Sequence, residues 1–220
     1  AVEINNPKDV QHGGLLIGCL LGIFGALTCL ERISQSPALR IACLTALATM
    51  ACWLSLEWML AKRSGRTLTM SLHFKRSHMI PVVAQGIIYV YWGLYWDEVG
   101  RSVPLIATQL AFGYLFDIAL SWRRFGHYRL GFGPVPIIGS TNLFIWFRDP
   151  VYGFQFLMIA AIFLSRAYLT RERDGRKTHI FNPSAFALAL FAVVLISGRW
   201  VHLTWANDIV NNLANGPYAY

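Results

Sequence analysis

The sequence predicts an all-α protein, a polytopic bundle of transmembrane helices with about seven crossings. Hydrophobic residues make up 55% of the 220 residues and charged residues only 14%, whereas about a quarter of the residues in a soluble domain are charged. The apolar residues are grouped in long blocks, and short basic clusters lie between these blocks. Long apolar blocks with basic connections are typical of helical membrane proteins.

Six of the blocks are long enough to form regular transmembrane helices, which need about 17–25 apolar residues each. Polar or basic residues bound every block, so that each one has a defined start and end. In chain order the blocks are Gly13–Leu30, Ala38–Leu60, Met79–Trp96, Val103–Trp122, Val151–Leu169 and Pro183–Val201.

A seventh apolar stretch, Gly131–Phe147, is predicted to cross as a broken helix. Its sequence, GFGPVPIIGSTNLFIWF, has two prolines and three glycines among the first nine residues, and these residues disfavour a regular helix. Irregular backbone at membrane depth is stable only where protein surrounds it or where it lines a cavity. We therefore expect neighbouring helices to shield this stretch from lipid.

The distribution of basic residues supports the seventh crossing and predicts an orientation. With seven crossings and the N-terminus inside, fourteen of the 19 Lys and Arg residues lie inside, as the positive-inside rule requires. A stretch that re-entered without crossing would leave the last basic cluster outside. The inside set is Lys8, Lys62, Arg63, Arg66, Lys75, Arg76, Arg123, Arg124, Arg129, Arg166, Arg171, Arg173, Arg176 and Lys177. The outside set is Arg32, Arg40, Arg101, Arg148 and Arg199.

Composition and motifs exclude several other classes of function. The net charge of +8 does not indicate a nucleic-acid partner, because the basic residues lie in short loops between apolar blocks. No P-loop, nucleophile elbow or dinucleotide fingerprint is present, so the chain has no self-contained catalytic motif. No spacing for zinc or an iron–sulfur cluster is present, and the four cysteines are interpreted as small packing residues. They are Cys19, Cys29, Cys43 and Cys52.

The two ends of the chain predict a longer protein. The sequence begins without Met and stops at NGPYAY, at a point where another apolar segment could begin. We therefore expect the chain to be an N-terminal fragment.

Two carboxylates inside predicted helices are candidates for an ion pathway. Asp117 lies in GYLFDIALSWRR and Glu57 in LSLEWMLAKR, each shortly before the basic end of its block. Charged groups within a membrane are costly and are by default functional candidates, so both are candidate relays for a cation or a proton. The alternative is that each carboxylate reaches the interface or pairs with Arg63, Arg123 or Arg124.

The start of the last block is a second candidate site. Asn182 is a good N-cap and Pro183 fits the first helical position. The free N–H groups there carry partial positive charge, and Lys177 and His179 stand beside them. A phosphate, carboxylate or carbonyl ligand could dock at this point; the alternative is a helix cap and nothing more.

The order of these features resembles the RnfD/NqrB family, whose members are multi-pass components of redox-driven ion-pumping complexes. The similarity extends from about Ser71 to Val201 and runs through LFDIALSWRR, PIIGSTNLFIW, RDPVYGFQFLMIAAIFLSRAYL and HIFNPSAF. FNPSAF after a basic loop is its most specific element. The resemblance implies a two-helix N-terminal extension, residues 1–70, and an RnfD/NqrB-like transmembrane domain, residues 71–220.

The resemblance implies an all-helical fold of two inverted halves, similar to those of urea transporters, of which this chain would hold one. It also implies FMN or riboflavin and electron transfer coupled to Na⁺ or H⁺ movement, in the bacterial cytoplasmic (inner) membrane and with other membrane subunits as partners. By position, Asn182 and Pro183 match the family's F-N-P element, and Asp117 matches an acidic position. The expected cofactor-binding residues are Asn182, Pro183, Ser184, Ser140 and Thr141.

The chain departs from the family at two points. Family members carry FMN on the Thr of a G-A-T motif, which this sequence lacks, and RERDGRKTH replaces a G-G-L-G-Q-N stretch. In this it is closer to divergent relatives encoded with enediyne-type biosynthetic genes. Two alternatives therefore stay open beside a subunit of a redox-driven ion translocase: a small-solute transporter or channel of urea-transporter-like plan, and a non-catalytic membrane scaffold or accessory protein of a biosynthetic cluster.

Overall fold

The computed structural model describes residues 13–73, 76–173 and 176–214, and these form a mostly helical, all-α protein. The helices are α1 (Gly13–Leu27), α2 (Glu31–Ser34), α3 (Pro37–Arg63), α4 (Arg76–Tyr95), α5 (Asp97–Arg101), α6 (Val103–Phe125), α7 (Pro134–Asn142), α8 (Gly153–Tyr168), α9 (Pro183–Ser197) and α10 (Ala206–Ala214). The strands are β1 (Thr69–Leu72), β2 (His127–Leu130), β3 (Thr170–Arg173) and β4 (Arg176–His179). Short 3-10 turns cover Asp149–Val151 and Val201–Leu203. Lys8 and Lys75 of the predicted inside set lie outside the described residues.

Each predicted apolar block coincides with one main helix. Two of these helices, α3 and α6, are long and apolar enough to span a bilayer by length and composition. Helices α1, α4, α8 and α9 are also apolar, but their apolar stretches are shorter, at 10–17 residues.

Local sequence sets the ends of these helices. The Ser36 hydroxyl caps α3 by accepting a bond from the Leu39 N–H, and Pro37 occupies the first turn. Gly126, with φ of 68°, ends α6 in the left-handed conformation that glycine adopts without strain.

Helix α6 lies at the centre of the bundle. Leu115, Ile118 and Ala119 on this helix are completely buried, and α1, α3, α7 and α8 pack around it. The N-terminal helices α1 and α3 thus share one core with the later helices. The expected boundary between residues 70 and 71 falls inside β1, where packing is continuous.

Two short strands run into the bundle beside α6, and the sequence did not predict them. Strands β1 and β2 are parallel, with Thr69 opposite His127. The Trp122 indole N–H donates to the Thr69 carbonyl at 3.2 Å, and the Tyr114 hydroxyl donates to the Gly131 carbonyl at 2.9 Å. Because Tyr114 lies about three turns before the end of α6, β2 runs back along α6 toward the middle of the bundle.

The stretch Gly131–Phe147 is broken. Its helix, α7, has nine residues, which give a length of only about 14 Å. Strand β2 precedes the stretch and makes up part of the remaining path along α6. Helices α4, α6 and α9 contact α7. Ile138, Thr141 and Asn142 are completely buried, although Phe144, after the helix, is 60% exposed.

The connections between helices gather at two ends of the bundle. At one end, which we call the basic end, β1–β2 pairing joins the connections that follow α3 and α6, and the β3–β4 hairpin joins α8 to α9. At the opposite end, Arg32 donates hydrogen bonds to Asp149 at 2.6 Å and to Glu98 at 3.3 Å. This cluster ties three connections together, and the bond to Asp149 raises the pKa of the Arg32 guanidinium.

Candidate functional site

Asp117 and Arg166 form an ion pair at the basic end of the bundle. Arg166 Nη2 donates to Asp117 Oδ1 at 2.8 Å, and the Arg166 and Asp117 side chains are 31% and 7% exposed, respectively. The pair exists because α6 packs against α8. Arg166 was not among the partners that the sequence suggested, because it lies 49 residues further along the chain.

The ion pair lies in the wall of a cavity of about 170 Å³. This volume corresponds to about six water molecules at about 30 Å³ each. Besides the pair, the polar groups in the wall are Ser121 and Arg124 from α6 and His179 from β4. The cavity therefore places a buried carboxylate next to space that water or a small ion can occupy.

Two tyrosines lie close to Asp117 on the strand side. Tyr128, on β2, is only 2% exposed, and its hydroxyl faces the Asp117 carboxylate. In the described part of the chain this hydroxyl makes no hydrogen bond of standard geometry. The Tyr114 hydroxyl, in contrast, already donates a hydrogen bond to the Gly131 carbonyl. Tyr128 is therefore available to Asp117 as a second donor.

The other candidate carboxylate, Glu57, has different neighbours. Its side chain is 4% exposed, accepts a hydrogen bond from the Trp53 indole N–H at 3.2 Å and lies 3.8 Å from Arg123 Nε. Arg123 is one of the basic residues that the sequence suggested as its partner. Glu57 is not among the residues that line the cavity at Asp117, so the structure does not bring the two carboxylates into one site.

Asn142, at the end of α7, forms part of a buried polar cluster that the sequence did not reveal. Its members are all completely buried and come from α6, α7 and α8 or the turn before α8. They are Gln109, Asn142, Tyr152 and Gln155. The available signal was a single amide in each of three apolar stretches, Val103–Trp122, Gly131–Phe147 and Val151–Leu169, since polar side chains at membrane depth commonly form hydrogen bonds between helices.

The cluster is a continuous chain of hydrogen bonds. The Phe147 N–H donates to Gln155 at 3.0 Å, and the Gln155 amide donates to Asn142 at 2.8 Å. The Asn142 amide donates to Gln109 at 2.7 Å, and the Gln109 amide donates to the Tyr152 hydroxyl at 2.7 Å. Each carbonyl oxygen of the three amides thereby accepts a hydrogen bond, so the cluster holds the broken stretch in place.

The candidate cofactor residues on α7 face their own helix. The Ser140 hydroxyl donates to the Ile137 carbonyl at 2.8 Å, and the Thr141 hydroxyl donates to the Ile138 carbonyl at 2.7 Å. Thr141 is also completely buried. Both hydroxyl protons are therefore used inside α7.

Asn182, Pro183 and Ser184 form the start of α9. Asn182 Oδ1 accepts bonds from the Ser184 N–H at 3.0 Å and the Ala185 N–H at 3.3 Å, which is N-cap geometry. With its oxygen committed to the cap and Thr141 enclosed, the five expected residues do not fit a flavin site in this arrangement.

In the parts of the chain that the structure describes, no group of three or more His, Cys, Asp and Glu side chains could hold a metal ion. Comparison with known proteins adds no neighbour: no protein-family model, curated protein or solved structure matches this chain.

Proposed function

We propose that the chain is a seven-crossing subunit of a membrane electron-transport complex similar to the RnfD/NqrB family, and that its own task is to relay H⁺ or Na⁺ at Asp117. The observation that carries the relay is the Asp117–Arg166 pair beside a cavity at the basic end. The assignment to an electron-transport complex rests on the resemblance of FNPSAF and the neighbouring segments to the RnfD/NqrB family.

The positions of the connections support seven crossings. Arg32 after α1, Glu98 after α4 and Asp149 after α7 meet at the opposite end. The connections after α3, α6 and α8 carry the strands of the basic end. Because successive connections alternate between the two ends, their arrangement supports the proposal that each of the seven main segments, including the broken one, crosses the membrane.

The exposed surface also fits a bilayer. Along α4, four aliphatic side chains are 65–80% exposed, and such a continuous apolar face is costly in water. They are Ile80, Ile87, Val90 and Leu94. Many basic residues lie in the last turns of α3, α6 and α8 or in the connections that follow these helices, as in a chain whose inner loops face the cytoplasm.

The relay follows from how Asp117 is held. A guanidinium bonded to a buried carboxylate favours its charged form, and a proton or Na⁺ that enters the cavity can compete with Arg166 for the same oxygens. Arg166 is partly exposed toward the cavity, so it can leave the pair and remain solvated. Tyr128 can then supply a hydrogen bond to Asp117 while Arg166 is displaced.

Site-specific labelling tests the seven crossings. In a version of the protein whose native cysteines are replaced by alanine, Arg101→Cys marks the opposite end and Arg171→Cys the basic end; both positions lie in connections between the main helices. A membrane-impermeant thiol reagent should label Arg101→Cys from outside intact cells and Arg171→Cys only in inverted vesicles. Labelling of both from the same side would refute seven crossings.

Reconstitution tests the relay. Proteoliposomes with the assembled complex should show redox-driven cation uptake that Asp117→Asn abolishes while electron transfer continues; Glu57→Gln is the matched carboxylate control. Uptake that survives in Asp117→Asn would show that Asp117 relays nothing.

A fluorescent band from the full-length protein in a denaturing gel would assign a covalent flavin, whereas its absence would exclude one. Flux of a small neutral solute without redox activity would instead establish the transporter alternative.

A further inference from the structure

The cavity at the basic end carries cationic groups that the Asp117–Arg166 pair does not use. We propose that Arg124, His179 and Ser121 bind the phosphate of an anionic phospholipid headgroup at the mouth of this cavity. The inference rests on the membrane location proposed above, but it does not depend on ion relay at Asp117.

Arg124 is positioned as an anion ligand. Its guanidinium carbon lies 4.8 Å from the ring centre of Phe125 and 4.9 Å from that of Tyr168, so aromatic side chains of α6 and α8 contact the same cation. Contact with ring faces leaves the N–H groups at the guanidinium edge available for an acceptor. Across the described ranges Arg124 has no carboxylate within ion-pair distance.

The charge of the cavity favours an anion. Two arginines, Arg124 and Arg166, and one carboxylate, Asp117, line it, which gives a formal excess of one positive charge. The carboxylate is already bonded to Arg166 at 2.8 Å, so the unused charge belongs to Arg124. A planar guanidinium binds two phosphate oxygens at once, and Ser121 and His179 can donate to the others.

The surroundings point to a lipid as the source of the phosphate. Phe125, which lines the cavity, is 66% exposed, and Tyr168, which contacts Arg124, is 59% exposed, so apolar rings flank the cavity where α6 and α8 end. Aromatic and basic side chains together are typical of the headgroup level of a bilayer, and basic pockets between helices on the cytoplasmic side bind anionic headgroups. A free phosphate ion would make no favourable contact with these exposed apolar rings.

Lipid retention by the whole protein tests the site. The purified chain is placed in nanodiscs of equal parts phosphatidylcholine and phosphatidylglycerol, released into mild detergent, and the bound lipids are counted by native mass spectrometry. We expect selective retention of phosphatidylglycerol, and a loss of about fivefold in Arg124→Gln because one basic side chain near a membrane contributes about that factor. Arg124→Lys should lose less, since it keeps the charge.

The control is Arg63→Gln, which removes one exposed charge from the same end at a position that does not line the cavity. An equal loss in Arg63→Gln would show general surface attraction and overturn the site. Displacement of the lipid by millimolar inorganic phosphate would identify free phosphate as the ligand and overturn the lipid. Failure of the chain to enter nanodiscs would overturn the membrane location itself, whereas entry without phosphatidylglycerol selectivity would overturn this inference alone. Circular dichroism of each variant checks that it is folded.

Discussion

The Tyr89 hydroxyl donates a hydrogen bond of 2.7 Å to the carbonyl oxygen of Gly139, and so joins α4 to the short helix α7. One turn earlier on α4, the Gln85 amide donates to the Pro136 carbonyl at 3.0 Å. A helix of nine residues has few internal bonds of its own, so these two bonds from α4 help to hold α7 in place.

Gly139→Ala is expected to weaken the contact between α4 and α7. A Cβ at Gly139 would overlap Gln85 Oε1, the end of a flexible side chain, so Gln85 must move and lose its bond to the Pro136 carbonyl, at a cost of about 1 kcal/mol of unfolding free energy. Thermal unfolding in detergent measures the change. Gly86→Ala is the matched control, because a Cβ there meets no atom within 4 Å and should stabilise α4 by up to about 1 kcal/mol. Adding Gln85→Ala to Gly139→Ala should recover part of the loss; no recovery would mean that the overlap is not the cause.

The ion pair between α6 and α8 should appear in a double-mutant cycle. Loss of one partner of a buried pair costs about 3–5 kcal/mol, and the partial exposure of Arg166 reduces this to about 1–3 kcal/mol. Asp117→Asn and Arg166→Gln are therefore each expected to lower the unfolding free energy, and the double variant should lose less than the sum by about 1 kcal/mol. Strictly additive losses would mean that the two side chains do not interact in the folded protein.

Gln155→Leu is expected to loosen the end of the broken stretch. The substitution leaves the Phe147 N–H and the Asn142 carbonyl oxygen without their partners, at a cost of about 1–3 kcal/mol for each group. Hydrogen exchange followed by mass spectrometry should show faster exchange at Phe147. Gln35→Leu, at an exposed position of the opposite end, should leave this exchange unchanged. Unaltered protection of Phe147 in Gln155→Leu would show that the amide does not hold the backbone there.

Substitutions at Asn182 distinguish a cap from a ligand. Asn182→Ala removes the oxygen that accepts from Ser184 and Ala185 and should lower the unfolding free energy by about 1 kcal/mol. Asn182→Asp keeps the acceptor and adds a charge that the helix start favours, so its stability should equal or exceed that of the parent protein. Equal destabilisation by Ala and Asp would mean that the cap bonds contribute little.

The sequence located the main helices because each depends on local composition. Asp117 was visible as a charge inside an apolar block, but Arg166 was not visible as its partner, since only the packing of α6 on α8 brings them together. Strands β1 and β2 escaped prediction because TMSL and HYRL are short and lie among polar residues, and their pairing joins positions far apart in the chain, such as Thr69 and His127. Gln109 and Gln155 appeared in the sequence only as single amides. Both form hydrogen bonds with Asn142, the last residue of α7, so their role depends on where this helix ends.

The cluster at the opposite end has a consequence for the order of assembly. Arg32 and Asp149 are separated by 117 residues, so a ribosome that adds about 20 residues per second needs roughly 6 s between them. During this time α1 and α3 are completed, and Glu98, 66 residues after Arg32, is made before Asp149 is added. The first helices are therefore synthesised before the Arg32–Asp149 bond can form, and this end of the bundle closes only after α7 has been made.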